Sequence, residues 1–394
     1  MDKIRLITLF RAPVQSVRIF DTLSGEKKEF AAIANSNNSV VKMLLCGPTV
    51  YDYSHVGHAR MLLFYDLMAR HFRAKGMHVS AIVNITDVDP KIFKKAKATN
   101  TPPSELAAKF IGELLRDLSA LGIEGFAFAR VSHHVGTAQK LVAGLLRDGR
   151  AYSAGGNIYL DTSEILSFGR LAGMSRQDLR DCRLDISPAK KLPEDILLWN
   201  ASENLDVAFF DAILGSGIPW WHMQDSSVAV AGFGGSYDIH GGASELVYPH
   251  HESHLAQLQA ITSLEKPVKF WTHVGLVRAK GRKMSKSLGN TITIRDLLKK
   301  RTANALRLYL YSRHYRNDFD FSENHLDSFE RISDAIAAAL NSKQGSGKSK
   351  LIGRFFERIE DDFDTPGAMK VMVEAARVRS PDLNAMVNIL GLQY

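Results

Sequence analysis

Cysteine is almost missing from this chain of 394 residues, which holds two, Cys46 and Cys182. So small a number excludes a disulfide framework and fits a reducing compartment. Long apolar runs are missing as well. No stretch approaches the ~20 residues that span a bilayer, so no membrane partner is expected. Near the N-terminus Lys3 and Arg5 precede Leu6–Phe10, but Arg11 interrupts the apolar core that a signal peptide needs. A soluble, cytoplasmic protein is the expectation. Internal repeats are lacking too. What remains is ordinary for a globular chain: 45% hydrophobic and 23% charged residues, with room for one large or two to three ordinary domains. The net charge of +8 allows a polyanionic partner such as RNA. It suits a small phosphate-bearing substrate equally well.

One short loop organises the chain, Cys46-Gly47-Pro48-Thr49-Val50-Tyr51-Asp52-Tyr53-Ser54-His55-Val56-Gly57-His58. The apolar run Val40–Leu45 before it reads as a buried parallel strand, and Ala59–Arg70 after it carries apolar residues at helical spacing. In a parallel sheet a strand end that leads into a helix start is where ligands sit, and the helix N-terminus favours phosphate. Gly47 and Gly57 let the backbone approach a ligand, and His55 and His58 lie beside that anion site as hydrogen-bond donors. Alone, such a tetrapeptide arises by chance and reads equally as a helix cap with two surface histidines.

Far downstream stands Lys283-Met284-Ser285-Lys286-Ser287, in a loop-like stretch opened by Gly281 and closed by Gly289-Asn290. Two lysines three residues apart, with hydroxyls between them, suit the charge of a triphosphate as it breaks. Paired with His55-Val56-Gly57-His58, this pentapeptide resembles the HIGH and KMSKS signatures of class I aminoacyl-tRNA synthetases.

Along the chain, Val17–Asp21 alternates as a strand would and Ser36–Ser39 reads as a loop. Val79–Asp87 is a second apolar strand, completing a strand–helix–strand unit. Helices are expected over about 103–121 and 134–149. Residues 151–215 change character, with Gly155-Gly156 and short strands such as Asn157–Asp161. The sheet resumes at Ser236–His240, a helix starts near His251, and Phe270–Val277 is the last strand before the lysine loop. From 293 onward the pattern is helical, over 302–313, 323–341, 351–362 and 366–379, with Asn341–Lys350 a flexible linker by composition. Its Gly347-Lys348-Ser349 end is no P-loop, because Ser342 stands where the first glycine belongs and no strand precedes it.

Leu45–Asp52, Asn84–Asp89, Trp221-His222, Asp238–Gly242, Tyr248–Glu252 and His314-Tyr315-Arg316 all resemble cysteinyl-tRNA synthetase, and the similarity covers most of residues 15–335. The resemblance implies an α/β fold: a class I Rossmann-like nucleotide-binding domain with an insertion, followed by a C-terminal α-helical bundle. It divides the chain into a preamble (1–39), a first catalytic half (40–150), a connective insertion (151–215), a second half with the lysine loop (216–292) and a truncated bundle (293–394). It also implies ATP, used with Mg2+, an amino acid and tRNA as partners. Catalysis would fall to His55, His58, Lys283 and Lys286. ATP contacts would come from Gly47, Thr49, Gly57, Gly242, Ser244, Glu245, Val277 and Ser285. The amino acid would lie against Cys46, Thr86, Trp221 and His240.

In that family zinc binds the substrate thiolate through two cysteines, a histidine and a glutamate. Cys46 and His250 match two of these ligands. Asp225 stands where the second cysteine belongs, and His254 where the glutamate does. The candidate set for Zn2+ is therefore Cys46, Asp225, His250 and His254, all residue types that zinc accepts. The alternative is a site that has lost its metal, leaving a polar pocket with one buried thiol. A carboxylate for a thiolate also makes the site harder and less suited to sulfur.

Three functions stay open at this point. The first is activation of cysteine as aminoacyl-AMP and transfer to tRNA. The second is transfer to the amine of a small molecule, as in MshC, the ligase of mycothiol synthesis, whose similarly short tail this chain shares. The third is a non-catalytic adenylate- or RNA-binding paralogue.

Overall fold

A computed structural model describes residues 16–30, 40–182, 187–201, 208–284, 289–343, 345 and 350–394. The expected loop at Ser36–Ser39 lies outside these residues, as do Ser285, Lys286 and Ser287 of the lysine loop and Gly347-Lys348-Ser349.

Five parallel strands form the central sheet, in the spatial order Val268–Val274, Tyr237–Ala243, Val40–Leu45, His78–Ile85, Ala127–Arg130. The chain enters in the middle, winds outward through His78–Ile85 to Ala127–Arg130, and later returns to the other side of Val40–Leu45. The winding direction therefore reverses between Val40–Leu45 and Tyr237–Ala243. A crevice opens at the C-terminal ends of two such strands, since their connections leave in opposite directions. Cys46 follows one of these strands, and Gly241-Gly242 closes the other.

The helix Val56–Ala74 crosses from the first of these strands to His78–Ile85. It is buried nearly all round, with Leu62, Leu63, Tyr65, Leu67, Met68 and Phe72 at essentially no exposure. The sheet covers one side, and the helices Ala303–Tyr311 and Leu383–Leu390 cover the other. A helix apolar on one stripe only would not serve there. The expected helices over 103–121 and 134–149 stand at Pro103–Ala120 and Val135–Arg147. Further helices escaped the periodicity, among them Pro90–Ala98 and Trp221–Phe233. Asp89 caps the first through the amide of Lys91 (2.6 Å) and Pro90 opens it, which is a start signal readable in the sequence.

The changed composition after residue 150 corresponds to a five-stranded antiparallel sheet, ordered Ala151–Ala154, Asn157–Leu160, Ile196–Asn200, Gly215–Pro219, Phe209–Asp211. It has its own core, in which Ile158, Leu198 and Trp199 meet Val142 and Leu145 of the Val135–Arg147 helix.

Phe270–Val277 is not one strand. The central strand ends at Val274, where Gly275 packs against the backbone of Asn317 and its carbonyl accepts from the Arg60 guanidinium at 2.7 Å. Beyond it Val277–Ala279 joins a separate three-stranded sheet, parallel to Phe319–Phe321 and antiparallel to Arg282-Lys283. The region from 293 is accordingly not all helix. Its helices are Ile294–Leu298, Ala303–Tyr311, Leu326–Leu340, Leu351–Glu360, Thr365–Arg377 and Leu383–Leu390.

Candidate active site

Three strand ends meet at the crevice. The amide of Cys46 donates to the Gly241 carbonyl (2.8 Å), while Val50 and Thr86 share a backbone bond (3.1 Å) that sets Thr49 beside Thr86. The amide of Gly47 donates to Oδ1 of Asn84 at 2.6 Å. A β-carbon on Gly47 would stand 1.8 Å from the Asn84 carbonyl oxygen, so only glycine fits here.

His55 is the N-cap of the Val56–Ala74 helix, in extended backbone. Its Nδ1 accepts from the amide of Gly57 (3.1 Å), and Nδ1 of His58 accepts from the amide of His55 (3.4 Å). The two rings stack with centroids 3.8 Å apart. Each ring that accepts at Nδ1 carries the proton of its neutral form on Nε2. That proton is a donor of the kind that serves a phosphoryl oxygen, at a helix end whose dipole favours negative charge.

The lysine loop reaches this same helix start. Lys283 ends the three-stranded sheet at Arg282-Lys283, and the buried Met284 that follows brings its methyl group to 3.7 Å from where a Gly57 β-carbon would lie. After the loop, the amide of Val56 donates to the Ile292 carbonyl (3.0 Å) and the amide of Ile294 to the Ser54 carbonyl (3.1 Å). The Lys283 ammonium pairs with the carboxylate of Glu245, in the turn after Tyr237–Ala243. Three candidates far apart in sequence, Gly57, Glu245 and Lys283, are thus neighbours. Val277 is buried in the small sheet that carries Lys283. The amide of Gly242 is taken by the Tyr65 hydroxyl at 2.9 Å. Ser244 stands beside Glu245 in the same turn. Ser285 and Lys286 lie outside the described residues.

On the other flank, Trp221 opens its helix and donates from Nε1 to Asp89 at 2.7 Å. His240 is buried at 1% exposure, with Nδ1 2.8 Å from the Tyr237 hydroxyl and Nε2 without a hydrogen-bond partner among the described residues. Two residues here were not singled out as site residues. Asn84 bridges Gly47 and Asp225, donating to the Asp225 carboxylate from Nδ2. Tyr237 sits between His240 and His254. The readable signal for Asn84 was a polar residue at the end of an apolar strand; for Tyr237 the sequence held none.

The zinc set is not assembled. Among the described residues, no three His, Cys, Asp or Glu side chains are placed to hold a metal ion. His254 has Nδ1 3.0 Å from Ser226 Oγ and Nε2 2.8 Å from the Tyr237 hydroxyl. The Nδ1 of His250 is 3.0 Å from Nε2 of His222. Cys46 and Asp225 do stand close. Burial, then the neighbouring Asp225, pushes the Cys46 thiol up, and burial pushes the Asp225 carboxyl up to about 7. Burial likewise holds His254 down at about 3, and burial followed by Lys91 holds His250 at about 4.

Residues 32–331 match the family described as tRNA synthetases class I (C) catalytic domain. The chain is 33% identical over 382 residues to a protein of Thermococcus onnurineus named cysteine--tRNA ligase, covering 92% of this chain and 79% of that one. With the protein of the same name from Histophilus somni it shares 36% identity over 371 residues, at the same coverage of each. Among solved structures, Mycobacterium tuberculosis methionyl-tRNA synthetase in complex with methionyl-adenylate superposes with a TM-score of 0.67 at 14% identity, over 89% of this chain and 87% of that one. That likeness is one of fold. Among the described residues no helix is long and apolar enough to cross a membrane.

Proposed function

The chain belongs to the cysteine–tRNA ligase family of class I aminoacyl-tRNA synthetases, and we propose that it activates cysteine with ATP and transfers it to tRNA. The amino acid carboxylate attacks the α-phosphate, forming aminoacyl-AMP as the bond to pyrophosphate breaks. A hydroxyl at the 3′ end of tRNA then attacks the acyl carbon and releases AMP. Neither step needs a protein nucleophile. Positioning and charge stabilisation carry both.

His55 and His58 hold the phosphates through their Nε2 protons at the helix start. Lys283, with Lys286 beyond it, neutralises the charge that collects on pyrophosphate. Mg2+ would enter with ATP and supply further charge neutralisation at its phosphates. The adenosine lies toward Gly242, Ser244 and Glu245. The amino acid lies toward Cys46, Thr86, Trp221 and His240, and no step runs through zinc. The net charge of +8 suits tRNA, and a cytoplasmic location goes with this reading.

The observation that carries this reading is the meeting of two distant loops: Met284, next to Lys283, abuts Gly57 between the two histidines. The test is ATP–pyrophosphate exchange with each of the twenty amino acids, followed by charging of total tRNA. Exchange driven by cysteine, with label passing to tRNA, is expected. No exchange with any amino acid, or label passing only to a small amine, would refute it.

A further inference from the structure

Resting on the reading that this chain activates an amino acid, we propose that its amino-acid site works without a metal ion. Cys46, Asn84 and His240 lie on one face of the sheet. Side chains alternate along a strand, so Cys46 shares the face of Leu44, and Asn84 that of Ile82. His240 is paired with Leu44, which is paired with Ile82. The helices Trp221–Phe233 and Glu252–Thr262 cover this face, where Val228, Leu255 and Leu258 pack on Leu44 and Trp271.

Both ring nitrogens of His254 are engaged, Nδ1 lying 3.0 Å from Ser226 Oγ and Nε2 2.8 Å from the Tyr237 hydroxyl. In either neutral tautomer one nitrogen donates and the other accepts, so His254 has no lone pair left for a metal. Ser226 Oγ is itself held by the His222 carbonyl (3.0 Å) and Gln257 (2.8 Å), and the Tyr237 hydroxyl by Nδ1 of His240 (2.8 Å). Asp225 accepts from Asn84, which in turn holds the Gly47 amide. The two positions that depart from the family's ligand pattern therefore serve the protein's own hydrogen bonds.

A metal–thiolate bond separates cysteine from serine by chemistry; hydrogen bonds and packing around the side chain do so far less, because thiol and hydroxyl both donate and accept and differ little in size. The preference for cysteine over serine in kcat/KM should then be modest, about 100-fold or less.

The native chain is purified without added metal, its zinc content measured by atomic emission, and exchange with cysteine and with serine followed with and without 1,10-phenanthroline. Zinc below about 0.1 per chain, exchange indifferent to the chelator and a modest preference are expected. About one zinc per chain, lost to the chelator together with thermal stability or exchange, overturns the proposal. So does a preference above about 10,000-fold. The metal assay needs no turnover, so a chain inactive with every amino acid refutes the proposed function while the zinc content still decides the metal. As a converse, the double variant Asp225→Cys, His254→Glu should gain about one zinc per chain.

Discussion

Arg307 and Asp66 form an ion pair at 2.9 Å with neither side chain exposed. The guanidinium also donates to the carbonyls of Leu121 (2.7 Å) and Leu390 (2.8 Å), and Asp66 also accepts from Arg70 at 2.8 Å. One buried charge pair thereby ties the C-terminal helices to the helix that begins at His55. Removing one partner leaves the other charge under-compensated in the interior. Arg307→Met should lower the free energy of unfolding by about 3–5 kcal/mol, toward the lower end because Arg70 remains. Urea titration checks this, and Arg307→Met combined with Asp66→Asn should recover part of the loss.

Lys283 offers a cleaner separation of stability from chemistry. Its side chain is 59% exposed and meets only Glu245, itself 36% exposed, among the ion-pair partners described. Lys283→Ala should therefore leave stability within about 0.5 kcal/mol. Exchange should fall by about 100- to 1,000-fold in kcat, the scale of losing one charge-stabilising group. A full-rate variant would remove Lys283 from the reaction.

Asn84 should behave in the opposite way. Its two ends hold the Gly47 amide and the Asp225 carboxylate, so Asn84→Ala strands two polar groups at once. A stability loss of about 1–3 kcal/mol is expected. A higher KM for the amino acid should accompany it, because the Gly47 turn forms one wall of the pocket. Denaturant melts beside exchange kinetics at varied amino acid concentration check both.

Acid should unfold this protein early, in part through His71. The ring is wholly buried among Phe72, Phe356 and Phe363, and burial, then Lys75, holds it down at about 3. In the unfolded chain it titrates near the ordinary ~6.5. Below that value the unfolded state takes up a proton that the folded state refuses, so stability falls as pH drops from about 6.5 toward about 3. His71→Met keeps an apolar side chain in the cage and should flatten this slope, by up to roughly a few kcal/mol at the acid end. His273, also held at about 3 by burial, keeps part of the acid sensitivity. Thermal melts from pH 7.5 to 4 read the difference.

Much of the fold was legible because its signals are local. Val40–Leu45 and His78–Ile85 announce buried parallel strands by unbroken apolar runs, and the helices over Pro103–Ala120 and Thr365–Arg377 by their period. The loop at Gly47–His58 was legible for the same reason, since a strand end, glycines and a helix start adjoin in the chain. Phe270–Val277 read as one strand because nothing local marks the break at Gly275; the reason lies 42 residues on, in the Asn317 backbone packed against it. The resemblance also proposed Asp225 and His254 as ligands, and both are residue types that zinc accepts. Which lone pairs they retain was decided only when Asn84, Ser226 and Tyr237 arrived beside them. A sequence states what a side chain is able to donate or accept, whereas three-dimensional packing determines whether a neighbour has already taken it.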